Sequence, residues 1–273
     1  MATAAQSGRA MVQQVLAAGT PWGDNRLNEY VNRLGQNLAR SSGSQQPFTF
    51  YVLYNPNLNA QAFPGGYIVV NSGVLSLADT EAELASVLAH EIAHVNACDC
   101  WSSPSRGTLF ELAAVVPTLI LGGPVGIALL SAGGAVGPAA RARASRRAEE
   151  RADRRASEYL LRAGYDPRAA ESFLARVEVE QEHSASPSGG LLATHPRTSD
   201  RRRRLEATVT TLPLQDFPAR DESEFLRVRK TVRDYDRIFA LVTGVRVPGS
   251  DTPSPELSRR PPTPSDSTIE HLR

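Results

Sequence analysis

His90, Glu91 and His94 stand in the order His90-Glu91-Ile92-Ala93-His94, an H-E-x-x-H pattern. On a helix, residues four apart share a face, with their Cβ atoms about 5–6 Å apart. Two imidazoles at that spacing can converge on one Zn²⁺ at about 2.0–2.1 Å each. Glu91 then lies beside the ion without binding it. It can take a proton from zinc-bound water and pass it to a leaving amine. The competing reading is a pair of surface histidines on an ordinary helix. The neighbours speak against it, because Leu84, Val87, Leu88, Ile92 and Val95 make the segment apolar on nearly every side. Two histidines and a glutamate on a buried helix need partners.

A catalytic zinc needs a third protein ligand and one open position. The run Glu149-Glu150-Arg151-Ala152-Asp153 offers candidates. Glu149 and Asp153 are four apart, hence on one helical face. Glu149 can complete a His₂Glu site. Asp153 can accept the free ring N–H of a ligating histidine and fix its tautomer. Taken alone, the run also describes a solvated charged helix.

The surrounding pattern shows what must position these groups. Thr80 and Glu83 form a T-x-x-E capping box that opens the H-E-x-x-H helix. Upstream, Leu27, Tyr30, Val31, Leu34 and Leu38 recur at helical spacing and predict an amphipathic helix over Asn25–Arg40. Residues Pro47–Tyr54, Asn59–Phe63 and Tyr67–Asn71 read as extended segments, with a turn at Pro64-Gly65-Gly66. They predict a small antiparallel sheet. Downstream, helices are predicted over Arg141–Arg162, Arg168–Gln181, Arg201–Thr208 and Ser223–Val242. Ser184–Gly190 reads as a loop.

The chain has 273 residues, 41% hydrophobic and 22% charged, a balance that suits a globular domain and excludes disorder throughout or a multi-span membrane protein. Lys+Arg is 30 against Asp+Glu 29, so the net charge of +1 gives no general reason to expect nucleic acid. Two cysteines, Cys98 and Cys100, are too few for a disulfide framework. The first 19 residues lack the pattern of a secretory signal peptide. Residues 1–246 are expected to form one domain, with 1–20 left without a defined element. Residues 247–273, rich in Pro, Ser and charge, are expected to form a disordered tail.

Five ordered segments resemble metallopeptidase family forty-eight, zinc peptidases of the gluzincin type, in its soluble bacterial branch. Asn59-Ala60-Gln61-Ala62-Phe63-Pro64-Gly65-Gly66 is similar to the family's N-A-x-x-x-P-G-G stretch. Glu83 through Val95 resembles its zinc helix, and Ser145 through Asp153 its S-R-x-x-E-x-x-A-D signature. Ala163-Gly164-Tyr165-Asp166-Pro167 and Thr194-His195-Pro196, followed by Asp200-Arg201, match two later elements. The resemblance spans about residues 24 to 240 of the chain.

The resemblance implies an α+β fold, mainly helical and zincin-like, with the small antiparallel sheet beside the H-E-x-x-H helix. It implies that His90, His94 and Glu149 ligate one Zn²⁺, that Glu91 is the catalytic base, and that Asp153 supports a ligand. It places His195 and Arg201 near the metal as catalytic groups. An imidazole or guanidinium there can stabilise a tetrahedral oxyanion, although His195 could instead fill the open zinc position and hold the enzyme latent. The implied activity is endopeptidase cleavage of unfolded or misassembled polypeptides. The alternative is a chaperone-like or latent zinc module for envelope proteins. The bacterial envelope or periplasm is the location the resemblance implies.

Three features depart from that frame or lie outside it. About five residues past His94, where relatives often carry a His or Arg-His pair, this chain reads Cys98-Asp99-Cys100-Trp101. A Cys98 thiolate one turn beyond His94 could touch a metal or sense oxidation, but the first reading of such a pair at a helix end is filler. Leu112–Ala140 carries no charge and is long enough to span a bilayer. Its prolines and paired glycines favour a bent element covering the cleft, with membrane-surface association as the second reading. Arginines crowd residues 141–155 and 201–204. They read first as solvated or paired faces, and no nucleic-acid partner is expected.

Overall fold

The computed structural model describes residues 2–97, 138–183, 198–213, 216–217, 220–244 and 247–248. Among them are helices α1 (Ala2–Ala18), α2 (Asn25–Ser41), α3 (Ser72–Leu77), α4 (Glu81–Ala97), α5 (Pro138–Arg162), α6 (Ala169–His183), α7 (Thr198–Val209) and α8 (Ser223–Thr243). Strands β1 (Thr49–Leu53), β2 (Ala60–Phe63) and β3 (Tyr67–Asn71) complete the elements. The fold is α+β and mainly helical, as expected. Among the described residues no helix is long and apolar enough to cross a membrane. The stretch 112–137, the segment 184–197 with His195, Cys98, Cys100 and the tail from 249 lie outside the described residues.

The helix that carries H-E-x-x-H is apolar all round because it runs through the core. Leu84, Ala85, Leu88, Ala89, Ile92 and Ala93 are fully buried, and α4 packs against α5, α6, α2 and β2. Its start is built as the sequence predicts. The Glu83 N–H donates to Thr80 Oγ1 at 3.2 Å, and the Asp79 N–H donates to Glu83 Oε2 at 2.7 Å. Glu83 also receives Ser172 Oγ at 2.5 Å and Arg176 Nε at 3.0 Å, which ties this end to α6. Asp79 pairs with Arg176 and Arg229, and so reaches α8.

The sheet order is β1-β3-β2. β2 and β3 form an antiparallel hairpin, Ala60 opposite Val70 and Phe63 opposite Tyr67. Gly66 in the turn has φ 82° and lies so close to Pro47 that a Cβ would come within 2.0 Å of its carbonyl oxygen. This explains the glycine. β1 pairs with β3 in parallel, Thr49 opposite Tyr67 through Leu53 opposite Asn71. The sheet is therefore mixed, which corrects the expected all-antiparallel pairing. The physical reason is the connection. Residues 54–59 cross the end of the sheet, with the Asn71 N–H bonded to Asn59 O and the Gly73 N–H to Asn55 O. That crossing puts β2 on the far side of β3 and leaves β1 and β3 running the same way. Apolar patterning marks strands but not their neighbours.

The outer edge of β1 is closed by side chains of α2. Asn32 donates to Phe50 O and accepts from Phe50 N–H, Asn28 Oδ1 accepts from Val52 N–H, and Gln36 donates to Phe48 O. Gly35 lets α2 lie this close, since a Cβ there would fall 2.4 Å from the Phe50 ring. β2 is the strand at the other edge, and it packs beside α4. The opposite face of the sheet carries a smaller core of Met11, Val12 and Val15 from α1 with Leu53, Phe63 and Val69. Residues 1–20, without a defined element in the sequence reading, thus hold a helix that covers the sheet.

α8 packs on α3 and α2 and buries Asp236, 1% exposed. Burial pushes the Asp236 carboxyl up from 3.8 to about 6, against the opposing pull of Ser76 and Arg233. The folded form holds this proton more tightly than the unfolded chain. Stability from this group is full below about pH 4 and is lost as pH rises through about 6. Asp236→Asn is therefore expected to raise stability above pH 6 by up to about 2 kcal/mol, after allowance for solvent screening. Thermal melts across that pH range check this, and a variant less stable than the wild type at neutral pH contradicts it.

Candidate metal centre

α4 and α5 lie side by side, and their facing residues build the site. His90 and His94 project from one face of α4, with ring centroids 4.6 Å apart and Nε2 atoms 3.0 Å apart. Glu149 of α5 meets them, with Oε2 3.3 Å from His90 Nε2 and Oε1 3.3 Å from His94 Nε2. The three donor atoms lie within 4.8 Å of one another. Two imidazole nitrogens and one carboxylate oxygen suit Zn²⁺, so the donor set fits the ion that the sequence suggests.

One turn further along α5, Asp153 Oδ1 is 2.9 Å from His90 Nδ1. A proton held on Nδ1 leaves Nε2 as the ligating nitrogen. Arg201, from α7, clamps this aspartate from behind. Its Nε donates to Asp153 Oδ2 at 2.9 Å, its Nη2 to Oδ1 at 2.7 Å, and its Nη1 lies 3.3 Å from Glu149 Oε2. His90, Glu91, Glu149, Asp153 and Arg201 are all buried.

The charges explain one another. Burial alone would raise the Asp153 carboxyl, but Arg201 and His90 hold it well below the usual carboxylate range. Burial alone would lower Arg201, and Asp153 and Glu149 reverse that. Burial and Arg201 pull His90 down, yet hydrogen bonds to Asp153 and Glu149 outweigh them and bring it up to about 9. Glu91 is pushed up by burial, opposed by His94 and His90. A group that must both take and give a proton near neutral pH is served by such a rise.

The carboxylates around His90 favour its protonated form, so a metal ion bound at Nε2 would compete with a proton. Zinc binding near pH 7 is expected to release about one proton from this histidine. Calorimetry in buffers of different ionisation enthalpy reads the number directly. No proton release would contradict the assignment of His90 as a ligand.

The structure brings together the proposed ligands His90, His94 and Glu149, the proposed base Glu91, and Asp153. It places Arg201 against Asp153 and Glu149, so its guanidinium is already engaged with carboxylates. The sequence reading missed the anchor at the start of α4. Glu81 accepts from Tyr30 Oη at 2.8 Å and from Tyr165 Oη at 2.7 Å, and so holds α2 and the end of α5 to the metal helix. These partners are 51 and 84 residues away in sequence, and the only local sign was the A-G-Y-D-P element that contains Tyr165.

A peptidase family M48 model matches residues 25–209, which include both helices of the site. The chain belongs to peptidase family M48. Among curated relatives, a putative beta-barrel assembly-enhancing protease of Vibrio cholerae is 37% identical over 185 residues, covering 65% of this chain and 38% of that protein. The beta-barrel assembly-enhancing protease of Yersinia pestis is 30% identical over 258 residues, 90% of this chain and 49% of that protein. The mitochondrial metalloendopeptidase OMA1 of Schizosaccharomyces pombe is 29% identical over 180 residues, 65% of this chain and 51% of its own length. The chain thus spans half or less of the length of the bacterial relatives. The M48 family supports a metallopeptidase role for the matched region.

Proposed function

We propose that this chain is a zinc-dependent endopeptidase that hydrolyses peptide bonds of unfolded or misassembled polypeptides. The observation that carries the reading is the convergence of His90 Nε2, His94 Nε2 and the Glu149 carboxylate, with Glu91 buried on the same helix. When bound, zinc supplies Lewis acidity for a carbonyl and lowers the pKa of water. Glu91 accepts the proton from the attacking water and returns it to the departing amine. Asp153 holds the His90 ring, and Arg201 holds Asp153. His195 is the group proposed to stabilise the oxyanion, with occupation of the open zinc position as its second role.

β2 is the strand proposed to receive the substrate. Its neighbour β3 occupies one side only, β1 is closed by α2, and β2 lies beside α4. An extended polypeptide added to such an edge is held by main-chain hydrogen bonds, which tolerate many side chains. The names of the bacterial relatives point to proteins of β-barrel assembly as a substrate class. An envelope location follows the same likeness.

The second reading is a chaperone-like module in which the zinc is structural or latent. The presence of Glu91 favours the peptidase, since a purely structural site needs no base. Incubating the zinc-loaded chain with an unfolded protein separates the two. The peptidase produces new termini, identified by mass spectrometry, with catalytic turnover. Suppression of aggregation at stoichiometric ratio with no new termini would support the chaperone instead.

A further inference from the structure

Outside the metal centre, α5 and α7 line an open groove of about 460 Å³. Four guanidiniums line it, from Arg147, Arg151, Arg154 and Arg204, against one exposed carboxylate, Glu150. Among the described residues none of the four makes an ion pair, although Arg202 and Arg203 beside them on α7 do. In a chain of net charge +1 this is a local excess of cation. Arg147, Arg151 and Arg154 sit at spacings of four and three, hence in one row along α5. Cα positions seven residues apart on a helix are separated by about 10 Å. An extended polypeptide advances about 3.3 Å per residue, so the row matches about three successive residues of such a chain. The wall of the groove includes Asp153 and Leu205, and both also line the small cavity at the metal centre.

We infer that this groove docks an acidic stretch of polypeptide, rich in Asp and Glu, belonging to the substrate. Guanidinium forks pair with carboxylates in bidentate fashion, and a row of them selects acidic over neutral sequence. Among the described residues no aromatic side chain lines the groove, so they offer no stacking platform of the kind a single-strand nucleic-acid site uses. Among the described residues no exposed bulky apolar group lines it either, so they offer no insertion surface of the kind a membrane-seated helix uses. The link to substrate rests on the peptidase reading, whereas the docking itself needs no cleavage.

The test uses the full chain carrying Glu91→Gln, which can bind without turning over. Two labelled unstructured peptides are compared, one with a block of Asp and Glu and one with those residues replaced by Asn and Gln. The acidic peptide is expected to bind about tenfold more tightly, and the advantage should shrink as salt screens the pairing. Arg151→Ser with Arg154→Ser should abolish the difference without changing the melting temperature, and Arg151→Lys with Arg154→Lys should restore part of it. Equal binding of both peptides overturns the inference, as does an acidic preference that survives the serine variant. Arginine-dependent binding of a single-stranded oligonucleotide, or of vesicles containing phosphatidylglycerol, without acidic-peptide binding overturns the choice of partner. If the acidic peptide docks but the wild type cleaves nothing, the groove stands and the peptidase reading falls. If the wild type cleaves both peptides with equal kcat/KM, the peptidase stands and the groove's role in substrate choice falls.

Discussion

Glu91→Gln is expected to keep one zinc per chain and to lose about 100- to 10,000-fold in kcat on an unfolded polypeptide, the range typical for removing a general acid–base. The amide matches the carboxyl in shape, so α4 keeps its packing in a fully buried setting. Nothing is removed from the donor set of His90, His94 and Glu149. What disappears is the ability to hold a proton between attack and departure of the amine. The variant should fold at least as well as the wild type, because burial already pushes the Glu91 carboxyl up and the amide carries no charge to desolvate. Metal analysis, thermal melts and fragment counting on the same preparation check all three parts. Equal cleavage by both proteins with zinc retained would contradict the role given to Glu91.

The second large effect is expected at Arg201. Its guanidinium bridges Asp153 and Glu149. Truncation to Met keeps the apolar stem and leaves two buried carboxylates facing each other across His90. Removing one partner of a buried ion pair typically costs about 3–5 kcal/mol. Loss of the support behind a ligating histidine also weakens metal binding, by about 10- to 100-fold. Arg201→Met should therefore lower both stability and zinc affinity. Adding Asp153→Asn to it should recover part of the stability by removing a stranded charge. Arg201→Lys should recover less than half, since one ammonium cannot reproduce the two-pronged contact with Asp153. If Arg201→Met melts like the wild type and binds zinc as tightly, yet loses kcat alone, then Arg201 acts on the oxyanion and not as a clamp.

Much of this site was legible in sequence because its spacing is local. His90 and His94 sit one turn apart, and so do Glu149 and Asp153, so helical periodicity alone sets each pair on one face. Bringing the two faces together is a long-range event that periodicity does not encode. There the family resemblance supplied the expectation. The capping box at Thr80 and Glu83 was readable for the same local reason, while the extra contacts of Glu83 with Ser172 and Arg176 were not. The strands were found from their apolar residues, but their order was not. The closing of β1 depends on Asn28, Asn32 and Gln36, polar residues on a helix that look like ordinary surface until the strand lies against them. Arg201 illustrates the same limit. Its position in a run of four arginines resembles a solvated face, yet it is buried while Arg203 and Arg204 are exposed. α1 was missed because Met11, Val12 and Val15 form only a short apolar stripe in a segment rich in Ala, Gln and Ser.

The central claim is that a metal held by His90, His94 and Glu149 drives peptide hydrolysis. The most direct measurement is cleavage of an unfolded protein before chelation, after complete removal of zinc, and after its return at one equivalent. It should be made on the wild type and on His195→Ala, so that occupation of the open position by His195 cannot mask activity. Fragments that appear with zinc, vanish with its removal and return with one equivalent in at least one of the two proteins are the predicted result. Zinc bound at one per chain with no fragments from either protein would contradict the account, as would cleavage that continues at full rate in protein shown to be free of metal.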